Sequence, residues 1–164
     1  MLTWKTLIKY FGEGLFTKPF QDFLAENFND LSEYNILDSD YICSDQKGLE
    51  LGFTNPTAVF DDDSEIIFEK GNPIFSHFNM YPTSANFITE FPFNLDFGEP
   101  REMVLTKAGI PIKSREGYLE ILDKNFLIDH YKIDNTIISI DYNITSQKII
   151  SLQLRDANIS NVGV

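Results

Sequence analysis

The chain has 164 residues, 43% of them hydrophobic and 14% aromatic, which is enough apolar material for one packed domain burying roughly 70% of its unfolded surface. Its 13 Lys and Arg stand against 25 Asp and Glu, a formal net charge of -12. That balance argues against nucleic-acid or anionic-membrane partners, which need released counterions and basic surface, and favours a basic protein partner.

Met1 to Phe11 reads as an amphipathic helix with Lys5 and Lys9 inside its apolar stretch, unlike a signal peptide. No run approaches the roughly 20 apolar residues of a membrane span. The one cysteine, Cys43, has no internal disulfide partner, so a cytoplasmic location is expected. On that reading the sequons at Asn143 and Asn158 carry no glycan.

Trp4, Leu7, Ile8, Phe11 and Leu15 fall at helical spacing, with Gly12 and Gly14 ending that helix. Pro19 suits a first helical position and opens a second helix in which Phe20, Phe23, Leu24 and Phe28 share a face. From Ser39 the period changes, and Tyr41 to Ser44, Leu49 to Phe53 and Glu65 to Glu69 read as strands. Gly71 to Pro92 carries Phe75, Phe78, Tyr81, Phe87 and Phe91 without a clean period, and reads as an aromatic loop packed on the domain. A helix follows over Arg101 to Ala108, with Pro100 before it, Gly109 closing it and Pro111 just beyond. Strands are expected over 126–133, 136–142 and 148–154. Ile138, Ile140, Tyr142, Ile150, Leu152 and Leu154 form the apolar side, with Ser139, Asp141, Ser151 and Gln153 opposite.

The two halves repeat this order of helix, strand, strand and closing Ile-Ile strand, with Tyr41 and Tyr131 90 residues apart and Asn55 and Asn143 88 apart. The expectation is an α+β fold over 1–164. Tandem helix-plus-hairpin repeats at 19–70 and 93–156 would build one antiparallel sheet with helices on one face. A chance match of ordinary patterns is the competing reading.

Phe91-Pro92-Phe93-Asn94-Leu95-Asp96-Phe97-Gly98-Glu99-Pro100-Arg101-Glu102-Met103-Val104, ending Ala108-Gly109-Ile110-Pro111, resembles a signature of many small bacterial immunity proteins, including those of contact-dependent growth inhibition. It departs from that pattern at Asn94, where glycine is usual, and at Ala108, where leucine is. The repeat is distantly similar to that of β-lactamase inhibitory protein and of outer-membrane assembly lipoproteins. The resemblance implies a non-enzymatic binder of a toxin that uses an open sheet face or acidic loops.

Chemistry-bearing clusters are sparse. With His77, His130 and Cys43 alone, no zinc spacing exists, and nothing around Cys43 and His130 supports a nucleophile pair. Asp61, Asp62, Asp63 and Glu65 invite a calcium loop, yet Ile66 and Asn72 stand where the turn glycine and bidentate glutamate belong, which favours a solvated acidic turn. No cofactor, metal or catalytic residue is expected. The charge itself is uneven: Pro19 to Glu69 carries 13 acids against Lys47, whereas Arg101 to Val164 balances eight with eight. The expected function is therefore an antitoxin whose acidic surface covers a basic toxin, a nuclease above all, with carboxylates in place of phosphates. Its contact residues are Asp38, Asp40, Asp45, Glu50, Asp61, Asp62, Asp63, Glu65 and Glu69, with Tyr41 as an aromatic anchor. The alternative is an adaptor module that binds a partner through its open sheet without inhibiting it.

Overall fold

The computed structural model describes residues 2–32, 41–54 and 73–159, together with the backbone of 59–60 and 66–67. It is an α+β fold built on a seven-stranded antiparallel sheet. In chain order the elements are α1 (Trp4–Ile8), α2 (Lys18–Asn27), β1 (Tyr41–Ser44), β2 (Leu49–Thr54), β3 (Val59–Phe60) and β4 (Ile66–Ile67). They continue with β5 (Ile74–Met80), α3 (Arg101–Ala108), β6 (Lys113–Leu119), β7 (Lys124–Ile133), β8 (Thr136–Tyr142) and β9 (Ile149–Asp156). The spatial order is β1-β2-β5-β9-β8-β7-β6, and β3 and β4 pair separately.

α2 and α3 form where the sequence places them, whereas α1 covers Trp4–Ile8 alone and not Met1 to Phe11. Thr3 caps α1, its hydroxyl accepting from the Thr6 amide at 3.1 Å, and Gly12 turns the chain away with φ 89°. Pro19 lies in the first turn of α2, which buries Phe20, Phe23 and Leu24 against the sheet. Gly109 ends α3 with φ 82°.

One face of the sheet carries the core. Strand alternation sends Leu49 and Leu51, Phe75, Phe78 and Met80, Leu152 and Leu154, and Ile138 and Ile140 to that side, all buried. Phe75 sits at the centre of an aromatic cluster, its ring 5.1 Å from Phe20, 5.3 Å from Phe11 and 5.8 Å from Phe53.

The structure corrects four further readings. The 71–92 segment is not all loop, because β5 lies at the middle of the sheet between β2 and β9. Its period is hidden by a bulge: Gly52 faces His77 and Phe53 faces Phe75, so Ser76 is an extra residue and the alternation slips there. Ile66-Ile67 pairs with β3 outside the main sheet, so the strand that follows β2 in the sheet is β5. Near the start of β9 a register shift between Asp141 and Tyr142 puts Ile149, not Ile150, in the core. Tyr41 and Tyr131, matched in the repeat, face opposite sides, since Tyr41 shares a row with His77 and Tyr131 shares one with Ile138 and Leu154.

The signature segment Phe91 to Val104 clamps the start of β9. Arg101 N–H donates to the Gln147 carbonyl at 2.9 Å, and Ile149 N–H donates to Glu99 at 3.0 Å. Asn94 takes φ 54°, the left-handed conformation that suits glycine and that asparagine tolerates best among other residues.

Candidate functional site

The residues expected to meet a partner divide sharply. Asp38, Asp40, Asp61, Asp62, Asp63, Glu65 and Glu69 lie outside the described residues. Tyr41, Asp45 and Glu50 are described and sit on or beside β1 and β2 at one end of the sheet.

Of the three, Asp45 alone is an exposed turn carboxylate. Glu50 lies on the face opposite the core and accepts from Asn79 Nδ2 and from the Tyr81 hydroxyl, both at 2.8 Å. Burial, followed by the Glu50 hydrogen bond, pushes the Tyr81 phenol well above its ordinary value, so it remains a donor. Gln153 Nε2 extends the chain to Asn79 Oδ1 at 3.0 Å, linking β2, β5 and β9. Glu50 is therefore half-buried and committed to a network.

Tyr41 is likewise engaged. Its hydroxyl shares a hydrogen bond with His77 Nε2 at 3.0 Å, the rings meeting edge to face at 5.1 Å, and His77 Nδ1 bonds Ser76 Oγ at 2.8 Å. Gly52 lies between them with no side chain, and a Cβ there would stand 2.2 Å from His77 Nε2. Gly52→Ala is expected to force the imidazole aside and cost about 1–3 kcal/mol by overcrowding. Urea unfolding checks the loss, and an unchanged midpoint would refute this role for the glycine.

The nucleophile pair is also placed. Cys43 on β1 and His130 on β7 have four strands between them, roughly 24 Å at ordinary strand spacing, so they do not act together. Burial, then Glu50 and Asp45, push the Cys43 thiol above its ordinary value. Among the described residues no group of three or more His, Cys, Asp or Glu is placed to hold a metal ion. No helix among them is long and apolar enough to cross a membrane.

A surface that the sequence did not single out lies at the other end of the sheet. β6 is an edge strand with every residue exposed, and the β6–β7 turn presents Tyr118, Leu119, Ile121 and Leu122 to water. Ile121 is 97% exposed and Leu122 66%. Glu116, Glu120 and Asp123 stand exposed among them, and the Tyr118 hydroxyl donates to Asp123, which holds the tip at φ 47°. The tell-tale in the sequence is Tyr118-Leu119-Glu120-Ile121-Leu122, an apolar run outside any amphipathic pattern.

No family model matches the chain, and no curated protein matches it. Among solved structures it is similar to an extracellular protein containing an SCP domain from Bacillus anthracis str. Ames, with TM-score 0.48 and 8% identity over 91% of this chain and 45% of that one. It is also similar to a cysteine-rich secretory protein from Staphylococcus aureus subsp. aureus Mu50, with TM-score 0.47 and 10% identity over 92% of this chain and 44% of that one. The chain thus spans less than half the length of either, and likenesses this distant carry no conclusion about what it does.

Proposed function

We propose that this chain is a toxin-neutralising binding protein of the immunity kind, acting in the cytoplasm without catalysis on a basic toxin, a nuclease above all. The observation that carries the reading is the β6–β7 tip. Leu119, Ile121 and Leu122 are exposed together at the β6–β7 tip beside an edge strand, the kind of contiguous apolar surface that marks a protein-interaction site. Exposed Glu116, Glu120 and Asp123 around that apolar centre match a basic partner. The acidic segment Asp61 to Glu69 supplies the longer-range field that steers the encounter. The tandem origin of the fold is part of the proposal: each half supplies a helix followed by sheet strands, and β5 and β9, the last sheet strand of each half, meet at the centre.

Co-purification with the product of the neighbouring gene, followed by inhibition of that product's activity, tests the function. The double variant Ile121→Asp, Leu122→Asp replaces exposed side chains and should change stability by less than about 0.5 kcal/mol while weakening the complex tenfold or more. Reversing Asp61, Asp62 and Asp63 to lysine should slow association about tenfold at low salt and little at high salt. A neighbour that forms no complex at low salt would overturn the reading. A complex that leaves the neighbour fully active would replace it with the adaptor.

A further inference from the structure

Counted along the chain, the second half is neutral; counted by sheet face, it is not. On β6, Lys113 and Arg115 share a side, opposite His130 and Ile128 of β7. On β7, Lys124 and Lys132 share that side, and Arg155 of β9 lies opposite Ile137, which in turn faces Lys132. Five cations therefore stand on the face of β6–β9 opposite the core, against Asp141 as the one carboxylate those strands place there. Glu116, Asp129 and Asp156 fall on the other parity.

Among the described residues, none of these five cations is in an ion pair. Lys5, Lys18, Arg101 and Lys107 each hold a carboxylate within 4 Å, whereas among the described residues none accompanies Lys113, Arg115, Lys124, Lys132 or Arg155. Arg115 and Arg155 lie on the outer strands of this four-strand block, and the register makes Arg115 the diagonal neighbour of His130 and Arg155 that of Ser139, within reach of long side chains. There His130 and Ser139 form a buried floor, 7% and 9% exposed, with His130 Nδ1 bonded to Ser139 Oγ at 2.8 Å. That bond leaves Nε2 as the imidazole nitrogen available to a ligand. Arg155 Nε is itself buried with no acceptor, a donor left unsatisfied.

We infer that this face is a binding site for a phosphate-class dianion, with Arg155, Arg115 and Lys113 as donors above the His130–Ser139 floor. Two guanidinium groups and an ammonium flank one stretch of floor and, among the described residues, hold no ion-pair partner, and a tetrahedral dianion satisfies several N–H donors at once and offsets their positive charge. A compact ion suits this chain better than a nucleic acid, because a polyanion extends beyond the site into the field of a protein of net charge -12. The state of His130 agrees. Burial first, then Arg155, Arg115 and Lys113, hold its pKa below the ordinary value, with Asp129 opposing, and a bound dianion acts in the opposite direction to the cations.

The test is a titration of the full chain with inorganic phosphate, and separately with glycerol 3-phosphate, at ionic strength held constant with sodium chloride. Side-chain NMR follows Arg155 Nε–H and the His130 ring. Saturable shifts at both groups and a raised His130 pKa support the site, and tighter binding of the ester identifies a phosphomonoester as its source. Arg115→Gln, an exposed change, should weaken binding tenfold or more, while Lys148→Gln, distant on the β8–β9 turn, should leave it unchanged. Linear shifts, equal shifts from chloride alone, or full affinity in Arg115→Gln would overturn the inference.

Discussion

Replacing Arg101 with alanine is expected to destabilise the fold by about 3–5 kcal/mol, the usual result of leaving a buried charge without its partner. Asp129 points from β7 into the core face and has no exposed surface. Arg101, at the start of α3, grips it with both arms: Nε donates to Oδ2 at 2.7 Å and Nη2 to Oδ1 at 2.8 Å, while Ser114 Oγ donates to Oδ1 at 2.6 Å. Nearby, the Tyr131 hydroxyl is buried without a hydrogen-bond partner, and burial followed by Asp129 pushes its phenol up to about 12. Alanine at 101 removes both guanidinium donors and leaves the carboxylate to neutral hydroxyls, Ser114 foremost. Asp129→Asn, which removes the charge and keeps the shape, should cost less, about 1–3 kcal/mol, because Arg101 is partly exposed and can turn to water.

The sign of the pH dependence separates this account from a simple loss of packing. Burial pulls the Asp129 carboxyl up, but Arg101 and Ser114 together outweigh it and hold the group below its ordinary value of 3.8. In the native protein this contribution is complete above that value and is lost as pH falls through the lower folded value. Without Arg101, burial prevails and the folded carboxyl titrates above its ordinary value, so acid relieves the variant. Urea midpoints for both proteins at pH 7 and pH 4 should show the deficit of Arg101→Ala shrinking at the lower pH. An equal deficit at both would assign the loss to packing.

Phe75→Ala should be about as severe, at about 3–5 kcal/mol. Phe75 is fully buried and sits among the rings of Phe11, Phe20, Phe53 and Phe78, so truncation opens a cavity walled by stiff aromatic groups that collapse poorly. For a domain of ordinary stability, 5–15 kcal/mol, that is a large part of the total. Phe75→Leu preserves most of the volume and should lose less than about 1.5 kcal/mol. Phe16→Ala, at an exposed ring, should change the midpoint by less than about 0.5 kcal/mol. Equal midpoints for Phe75→Ala and Phe16→Ala would remove Phe75 from the centre of the core.

The helices and the β7–β9 meander were legible because their signals are local. Pro19 and Gly109 punctuate, and Ile138, Ile140 and Tyr142 alternate without interruption. β5 was hidden by one extra residue, Ser76, which breaks the alternation between Phe75 and Phe78. β6 was hidden for another reason: an edge strand with both faces wet has no apolar period to display, and Lys113 to Leu119 is exposed throughout. The Arg101–Asp129 pair joins residues 28 apart and needs the register of β7 before it can be seen. The cationic face was masked by arithmetic, since eight bases against eight acids sum to nothing until strand parity sorts them.

The strand order also fixes when the molecule becomes complete. β5 is made midway through the chain, but its second hydrogen-bonding edge is closed by β9, through His77 to Met80 against Arg155 to Leu152. On a ribosome the first half therefore emerges with an open strand edge whose core side carries Phe75, Phe78 and Met80, and it stays open until β9 has left the exit tunnel. A truncated or stalled product ending before Ile149 presents that edge permanently, which makes incomplete chains the form most prone to pair with one another.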